Sequence, residues 1–284
     1  MTGTEATTYG STRRRIGRIG TYGVAASAAI FVALLFAVPT AAAAPMAQAV
    51  VLSAPYHGTV TSYTNSWSTA GCGSAAILTR PFFHPTTGLA GWSDQAKGPA
   101  CTKNPLGASG EASSGFFTLF PLTLSKHSVT IVVVISIQAE LQARDSAVTC
   151  VPSALNASCY SEAYAGISGD AYLYDQTIGA YWFPTTFWTG AFVQAYNYTT
   201  CYSGSCSSFG APSESMQVHT TAALTIPATR LHPSDSFYLY VFFSGTVIAS
   251  VGVDAASISG GSTSALLNVA TNGNGIDIAS ITIT

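Results

Sequence analysis

The stretch Ser161-Glu162-Ala163-Tyr164-Ala165-Gly166-Ile167-Ser168-Gly169-Asp170-Ala171-Tyr172-Leu173-Tyr174-Asp175 decides the fold. Ala163, Ala165, Ile167, Ala171 and Leu173 fall on one side of an extended chain, and Glu162, Tyr164, Ser168, Asp170, Tyr172 and Tyr174 on the other. Side chains of a strand point alternately to opposite faces, so this is a half-buried strand with small apolar residues inward and tyrosines outward. The two glycines predict either a pair of strands or one strand bent between Gly166 and Gly169.

The same period of two recurs on both sides of that stretch. Val129 to Ile137 is apolar on both faces and Gln138 to Arg144 then alternates, which reads as a central strand whose far end reaches the surface. Further strands are expected at Phe187 to Tyr198, Ser215 to Ile226, Phe237 to Phe243, Thr246 to Asp254, Ala265 to Thr271 and Ile276 to Thr284. Turn chemistry separates them at Pro227, His232-Pro233-Ser234-Asp235, Ser259-Gly260-Gly261-Ser262 and Asn272-Gly273-Asn274-Gly275, the last read as a hairpin turn. No segment beyond the leader sustains a helical period. The fold class is therefore all-β, an antiparallel β-sandwich of jelly-roll type preceded by an N-terminal hydrophobic signal helix.

The leader supplies the compartment. Basic residues Arg13 to Arg18 precede an apolar run from Val24 to Val38, and Ala47-Gln48-Ala49 has the small-residue form of a cleavage site. Residues 1–49 read as a secretory signal peptide and 50–284 as one extracellular sandwich domain. Two alternatives stay open: an uncleaved membrane anchor, and a twin-arginine route through Thr12-Arg13-Arg14-Arg15-Ile16. Cys72, Cys101, Cys150, Cys159, Cys201 and Cys206 all follow the leader. An even number in an exported chain implies disulfides, and short loops favour 72 with 101, 150 with 159 and 201 with 206. The Gly/Ser/Pro-rich stretch from Gly88 to Ser114 reads as a long loop tied by the first of these pairs, giving a disulfide-tied loop region at 72–101. Asn156-Ala157-Ser158 and Asn197-Tyr198-Thr199 are acceptor sequons expected on exposed turns.

Charge excludes several functions. Only 8% of the 284 residues are charged, against about 25% in ordinary proteins, and the formal net charge is −2. Without the leader six basic residues face eleven acidic ones, so no basic stripe awaits a nucleic acid. A surface so poor in charge also predicts a stability that changes little with pH.

No catalytic motif of a metalloprotease, nucleophile-elbow hydrolase or nucleotide-binding enzyme is present. His57, His84, His127, His219 and His232 are scattered and read as turn or surface residues. Glu111, Glu140, Glu162, Glu214, Asp170 and Asp175 leave a carboxylate-pair glycoside hydrolase as the second reading. No cofactor is expected; calcium stays open as an alternative, with Asp170, Asp175 and Asp254 as oxygen ligands, although their spacing does not specify a site.

The unusual chemistry is aromatic. Tyr164, Tyr172, Tyr174, Tyr238, Tyr240 and Phe242 fall opposite the core positions, with Trp182, Trp188, Tyr196 and Tyr198 nearby. Rings with a polar tip suit stacking on sugars or docking a partner, whereas β propensity alone also places tyrosine in strands. The expected function is non-catalytic binding or assembly at the cell surface, with a glycan or another surface protein as partner. A surface-layer or filament subunit is the third reading, with self-association through an edge strand such as Ile276 to Thr284.

Overall fold

The computed structural model describes residues 50–52, 54–68, 73–99, 107–152, 154–185, 190–254 and 256–284. The leader, Cys72, Cys101 and Trp188 lie outside the described residues. In chain order the strands are β1 (Val50–Leu52), β2 (Thr59–Ser68), β3 (Ser74–His84), β4 (Leu89–Pro99), β5 (Gly107–Leu122), β6 (Ser128–Pro152) and β7 (Asn156–Asp175). They continue with β8 (Ala180–Trp182), β9 (Ala191–Tyr202), β10 (Ser205–Ala211), β11 (Ser213–Thr229), β12 (Phe237–Asp254), β13 (Ala256–Asn268) and β14 (Gly275–Ile283).

Two antiparallel sheets form a sandwich. In sheet I, β4 lies beside β13 and β14, these lie beside β6, and β6 beside β11; β3 extends the β4 edge and β1 pairs with the end of β14. Sheet II runs β10-β9-β7-β12-β5-β2, with β8 against the end of β7. The inner faces supply one apolar core. Ile131, Val133, Ile135, Ile137 and Leu141 of β6 and Phe237, Leu239, Val241 and Phe243 of β12 all lie buried in it. Trp92 meets Phe116 at 5.9 Å between ring centroids and Phe116 meets Phe243 at 5.4 Å, so large rings tie the layers together.

Several sequence expectations change in three dimensions. The stretch 161–175 belongs to one unbroken β7, and the two predicted strands within 237–254 are the single β12. Gly169 does not bend the chain but admits a ring: a Cβ there would lie 2.4 Å from Phe243 Cδ1. Pro227 sits inside β11 opposite Thr130. Because β11 is an edge strand with β6 as its one partner, the missing N–H interrupts no ladder. Ser259 to Ser262 is not a turn but a pair of bulges in β13 against β6.

The Asn-Gly segment is no hairpin either. Asn268 lies opposite Glu140 and Gly275 opposite Gln138, so β13 and β14 run in one line along β6, interrupted by an excursion through 269–274. Asn268 Oδ1 accepts the N–H groups of Ala270 and Thr271 at 3.2 and 3.1 Å, closing the excursion at its base. Strand β14 is flanked by β6 on one side and by β1 and β4 on the other, so it is not the free edge that an assembly reading required. The segment 88–114, expected to be a loop, instead supplies β4 and the start of β5, and Trp92 within it is fully buried. Its small residues mark close backbone approach: a Cβ on Gly91 would fall 2.2 Å from the Val269 carbonyl oxygen.

Two disulfides match the short-loop expectation. Cys150–Cys159 links β6 to β7 and so joins the sheets, while Cys201–Cys206 crosses the β9–β10 hairpin, whose turn residues Ser203 and Gly204 have φ of 49° and 85°. Such bonds fit an oxidising compartment. The variant Cys150→Ser/Cys159→Ser is expected to lose about 2–3 kcal/mol of stability from its opened nine-residue separation, read from urea midpoints. An unchanged midpoint would show that the sheets need no such link.

Two buried polar bridges also span the layers. The Ser114 hydroxyl donates to Asp94 Oδ1 and the Ser161 hydroxyl to Asp145 Oδ2, each at 2.6 Å. Asp94 Oδ2 and Asp145 Oδ1 are buried without a donor. Desolvation therefore raises both carboxyls, Asp94 to about 6. Asp170, Asp235 and Asp277 are raised as well, each chiefly by desolvation, with the Asp175 carboxylate adding to the shift at Asp235. Against the expectation from low charge, these raised carboxyls predict a stability that falls as pH rises; among the described acids Asp94, Asp145 and Asp175 are buried.

Candidate functional site

The outward face of sheet II is built by the alternation that fills the core. In β7 and β12 the odd-numbered residues point inward, leaving Tyr164, Tyr172 and Tyr174 beside Tyr238, Tyr240 and Phe242 on the outside. Cross-strand register places Tyr172 directly opposite Tyr240, and their rings stack at 4.6 Å with 12° between planes. Strand β8 brings Tyr181 to Tyr174 at 4.7 Å, and Phe183 reaches Tyr172 at 5.9 Å. Phe117 of β5 stacks on Tyr240 at 6.4 Å and Phe242 closes on Tyr172 at 6.3 Å. Together these rings make one continuous aromatic surface.

A groove of about 900 Å³ opens beside it, lined by Tyr174, Tyr238, Tyr240, Leu119, Pro121, Gln176 and Thr59 from sheet II and its turn, and by Tyr56, His57 and Gly58 before β2 and Pro85 after β3. Tyr56 is fixed as a wall by donating its hydroxyl to the Ile278 carbonyl at 2.7 Å. Burial, with Tyr240, Tyr181 and Asp170 nearby, pushes the Tyr172 phenol up to about 12, so it stays neutral and can donate a hydrogen bond. Asp170 adjoins this surface, raised to about 6 by desolvation while its Oδ1 accepts the Ala171 N–H at 2.7 Å. Among the described residues no carboxylate lines the groove.

The other expected residues distribute as follows. Trp182 lies on the opposite face, because its partner Leu173 points inward; its ring packs against the core, 6.5 Å from Phe237. Trp188 is outside the described residues. Asn156 is exposed at the start of β7, whereas Asn197 sits within β9, half-buried, rather than on a turn. Asp170 and Asp175 point to opposite faces of β7 and Asp254 ends β12, so the suggested calcium ligands do not converge along the strand. Among the described residues no three His, Cys, Asp or Glu side chains form a metal-binding group. Glu162 accepts from the Gln194 amide at 2.8 Å and Glu111 from the Trp67 indole at 2.9 Å.

Sequence reasoning missed Tyr63, Tyr160, Tyr181, Phe183, Phe117 and Phe192, all part of this face or its rim. Tyr63 and Tyr160 pair directly with strand glycines, Gly115 and Gly252, a register between distant strands that the local sequence does not signal.

No family model matches the chain, and no curated protein matches it. Among solved structures it has a likeness to a family 11 carbohydrate-binding module from Clostridium thermocellum in complex with a beta-1,3-1,4-mixed-linked tetrasaccharide. That likeness is 13% identical and covers 69% of this chain and 88% of that one, with a TM-score of 0.12. The structure of infectious bursal disease virus, Gx strain, aligns at 7% identity over 85% of this chain and 83% of that one, with a TM-score of 0.10. Neither likeness carries an argument at such TM-scores.

Proposed function

We propose that the chain is an exported jelly-roll protein of the cell surface or extracellular space that binds carbohydrate through the outer face of sheet II. The jelly-roll assignment rests on strand order, β4-β13-β6-β11 stacked on β5-β12-β7-β9. One observation carries the binding assignment. Every tyrosine in a described strand lies on the outer face of sheet II, and neither tyrosine nor tryptophan lies on the outer face of sheet I among the described residues. β propensity acts equally on both sheets, so it does not account for that asymmetry. Planar rings with hydroxyl tips match the alternating C–H faces and hydroxyl edges of pyranose sugars.

The hydrolase reading needs two facing carboxylates about 5 to 9 Å apart in a cleft. The smaller groove near Pro212 does hold Asp145 and Glu214. Both are engaged structurally, Asp145 by Ser161 and Glu214 by the Gln194 backbone N–H at 2.9 Å. Asp145 also repeats the sheet-bridging arrangement of Asp94, which is fully buried, so the binding reading is favoured.

The test is glycan-array binding by the oxidised 50–284 protein, with hydrolysis products assayed on the same glycans. Retained, uncleaved glycan is the expected result. Absence of binding to any glycan, or release of shorter sugars, refutes the proposal.

A further inference from the structure

The aromatic surface does not end at Tyr172. We infer that the outer face of sheet II is a track for an extended, uncharged polysaccharide lying along the strands, an inference that rests on the carbohydrate reading and specifies its ligand.

Three tyrosines beyond the cluster are laid flat by glycines. A Cβ on Gly166 would lie 2.3 Å from the Tyr164 hydroxyl, one on Gly252 2.3 Å from Tyr160 Cζ, and one on Gly115 2.8 Å from Tyr63 Cζ. Each ring therefore occupies the space that a side chain would otherwise fill, with one face on the sheet and the other toward solvent. Tyr63 and Tyr160 are 44% and 40% exposed, enough for a sugar to reach that outer face.

Spacing sets the length of the ligand. Tyr172 and Tyr164 stand eight positions apart on β7 and Tyr160 a further four, about 26 and 40 Å at about 3.3 Å per residue. The shorter span is that of several pyranose rings in an extended chain, more than a trisaccharide covers. Between the aromatic ends lie the Ser168 and Ser244 hydroxyls, 2.8 Å apart, and Thr246. Tyr63 is hydrogen-bonded to Ser244, which joins its ring to this hydroxyl belt. A chain would thus meet rings, then hydroxyls, then rings.

Charge selects the class of sugar. No Lys or Arg occurs in any described strand of sheet II, whereas Glu111, Glu162 and Asp170 lie on its outer face. Such a face repels uronic-acid or sulfated chains and leaves neutral ones unopposed.

The experiment titrates the oxidised 50–284 protein by calorimetry with cello-, xylo- and manno-oligosaccharides of about two to eight units, and with an anionic polyuronate ladder. Affinity is expected to rise at least about tenfold from trimer to hexamer on one neutral ladder, a gain of about 1.4 kcal/mol. The three atoms nearest a Cβ on Gly166 all belong to the Tyr164 ring and hydroxyl, so Gly166→Ala is expected to lift the ring and leave the fold intact. It should weaken hexamer binding about fivefold or more and leave trimer binding unchanged, and Tyr164→Ala should do the same. Affinity that levels off at the trimer, hexamer binding equal in both variants and the parent, or preference for the polyuronate overturns the track while leaving carbohydrate binding intact. Failure of every ladder and of the array removes both.

Discussion

Between about pH 5 and about pH 7.5 the folded protein is expected to lose about 2–3 kcal/mol of stability from Asp94 and Asp170 alone. The sign follows from the direction of the shifts. Both carboxyls are raised in the fold from 3.8 to about 6, so over the interval between those values the native state holds protons that the unfolded chain has released. Stability then falls as pH rises, and it levels off once the native carboxyls have also ionised. Asp145, Asp235 and Asp277 shift in the same direction and steepen the fall. Urea midpoints across this range measure it directly. Asp94→Asn keeps a neutral, similarly shaped group beside Ser114 and should remove about half of the slope contributed by that pair of carboxyls. A variant whose curve runs parallel to the parent would show that Asp94 is not ionising inside the sandwich.

The second large effect concerns binding. Tyr172→Ala combined with Tyr240→Ala should cut affinity for any retained glycan by about 30-fold or more, the cost of removing a central anchor. The two rings stack on each other, so the double variant should lose less than the sum of the single changes. Both positions are only half-buried, and a stacked aromatic pair is worth about 0.5–1.5 kcal/mol, so the domain should remain folded. Tyr172→Phe separates stacking from hydrogen bonding, since it retains the ring and deletes the phenol. Parent-like affinity in the double variant would remove the aromatic surface from the binding mechanism.

Alternation carried most of the architecture in the sequence. Inward and outward residues of 161–175 and 237–243 were legible because a strand's side-chain period does not depend on its neighbours. Glycine was the main source of error. In an isolated chain Gly166 and Gly169 look like a bend, but in the sandwich they make room for Tyr164 and Phe243, and Gly245, between the two expected strands, makes room for Leu267. The same ambiguity turned 88–114 into an expected loop. Trp182 was assigned to the outer face by proximity to other aromatics, whereas its pairing with Leu173 turns it inward. Half of the aromatic surface was legible, because Tyr172 and Tyr240 follow the period; the rest depends on register between distant strands.

The strand order also governs when the molecule can fold. β12 fills the space between β5 and β7, while β13 and β14 fill that between β4 and β6. Both sheets therefore stay split until the stretch 237–284 has left the ribosome. The contacts that then form are remote, such as Tyr56 with Ile278 across 222 positions and Ser93 with Leu267 across 174. Closing such loops early is entropically unfavourable, which places this chain among slow, high-contact-order folders. The disulfide loops with separations of 9 and 5 are local and can close first, restricting the middle of the chain before the last strands arrive as the keystone of both layers.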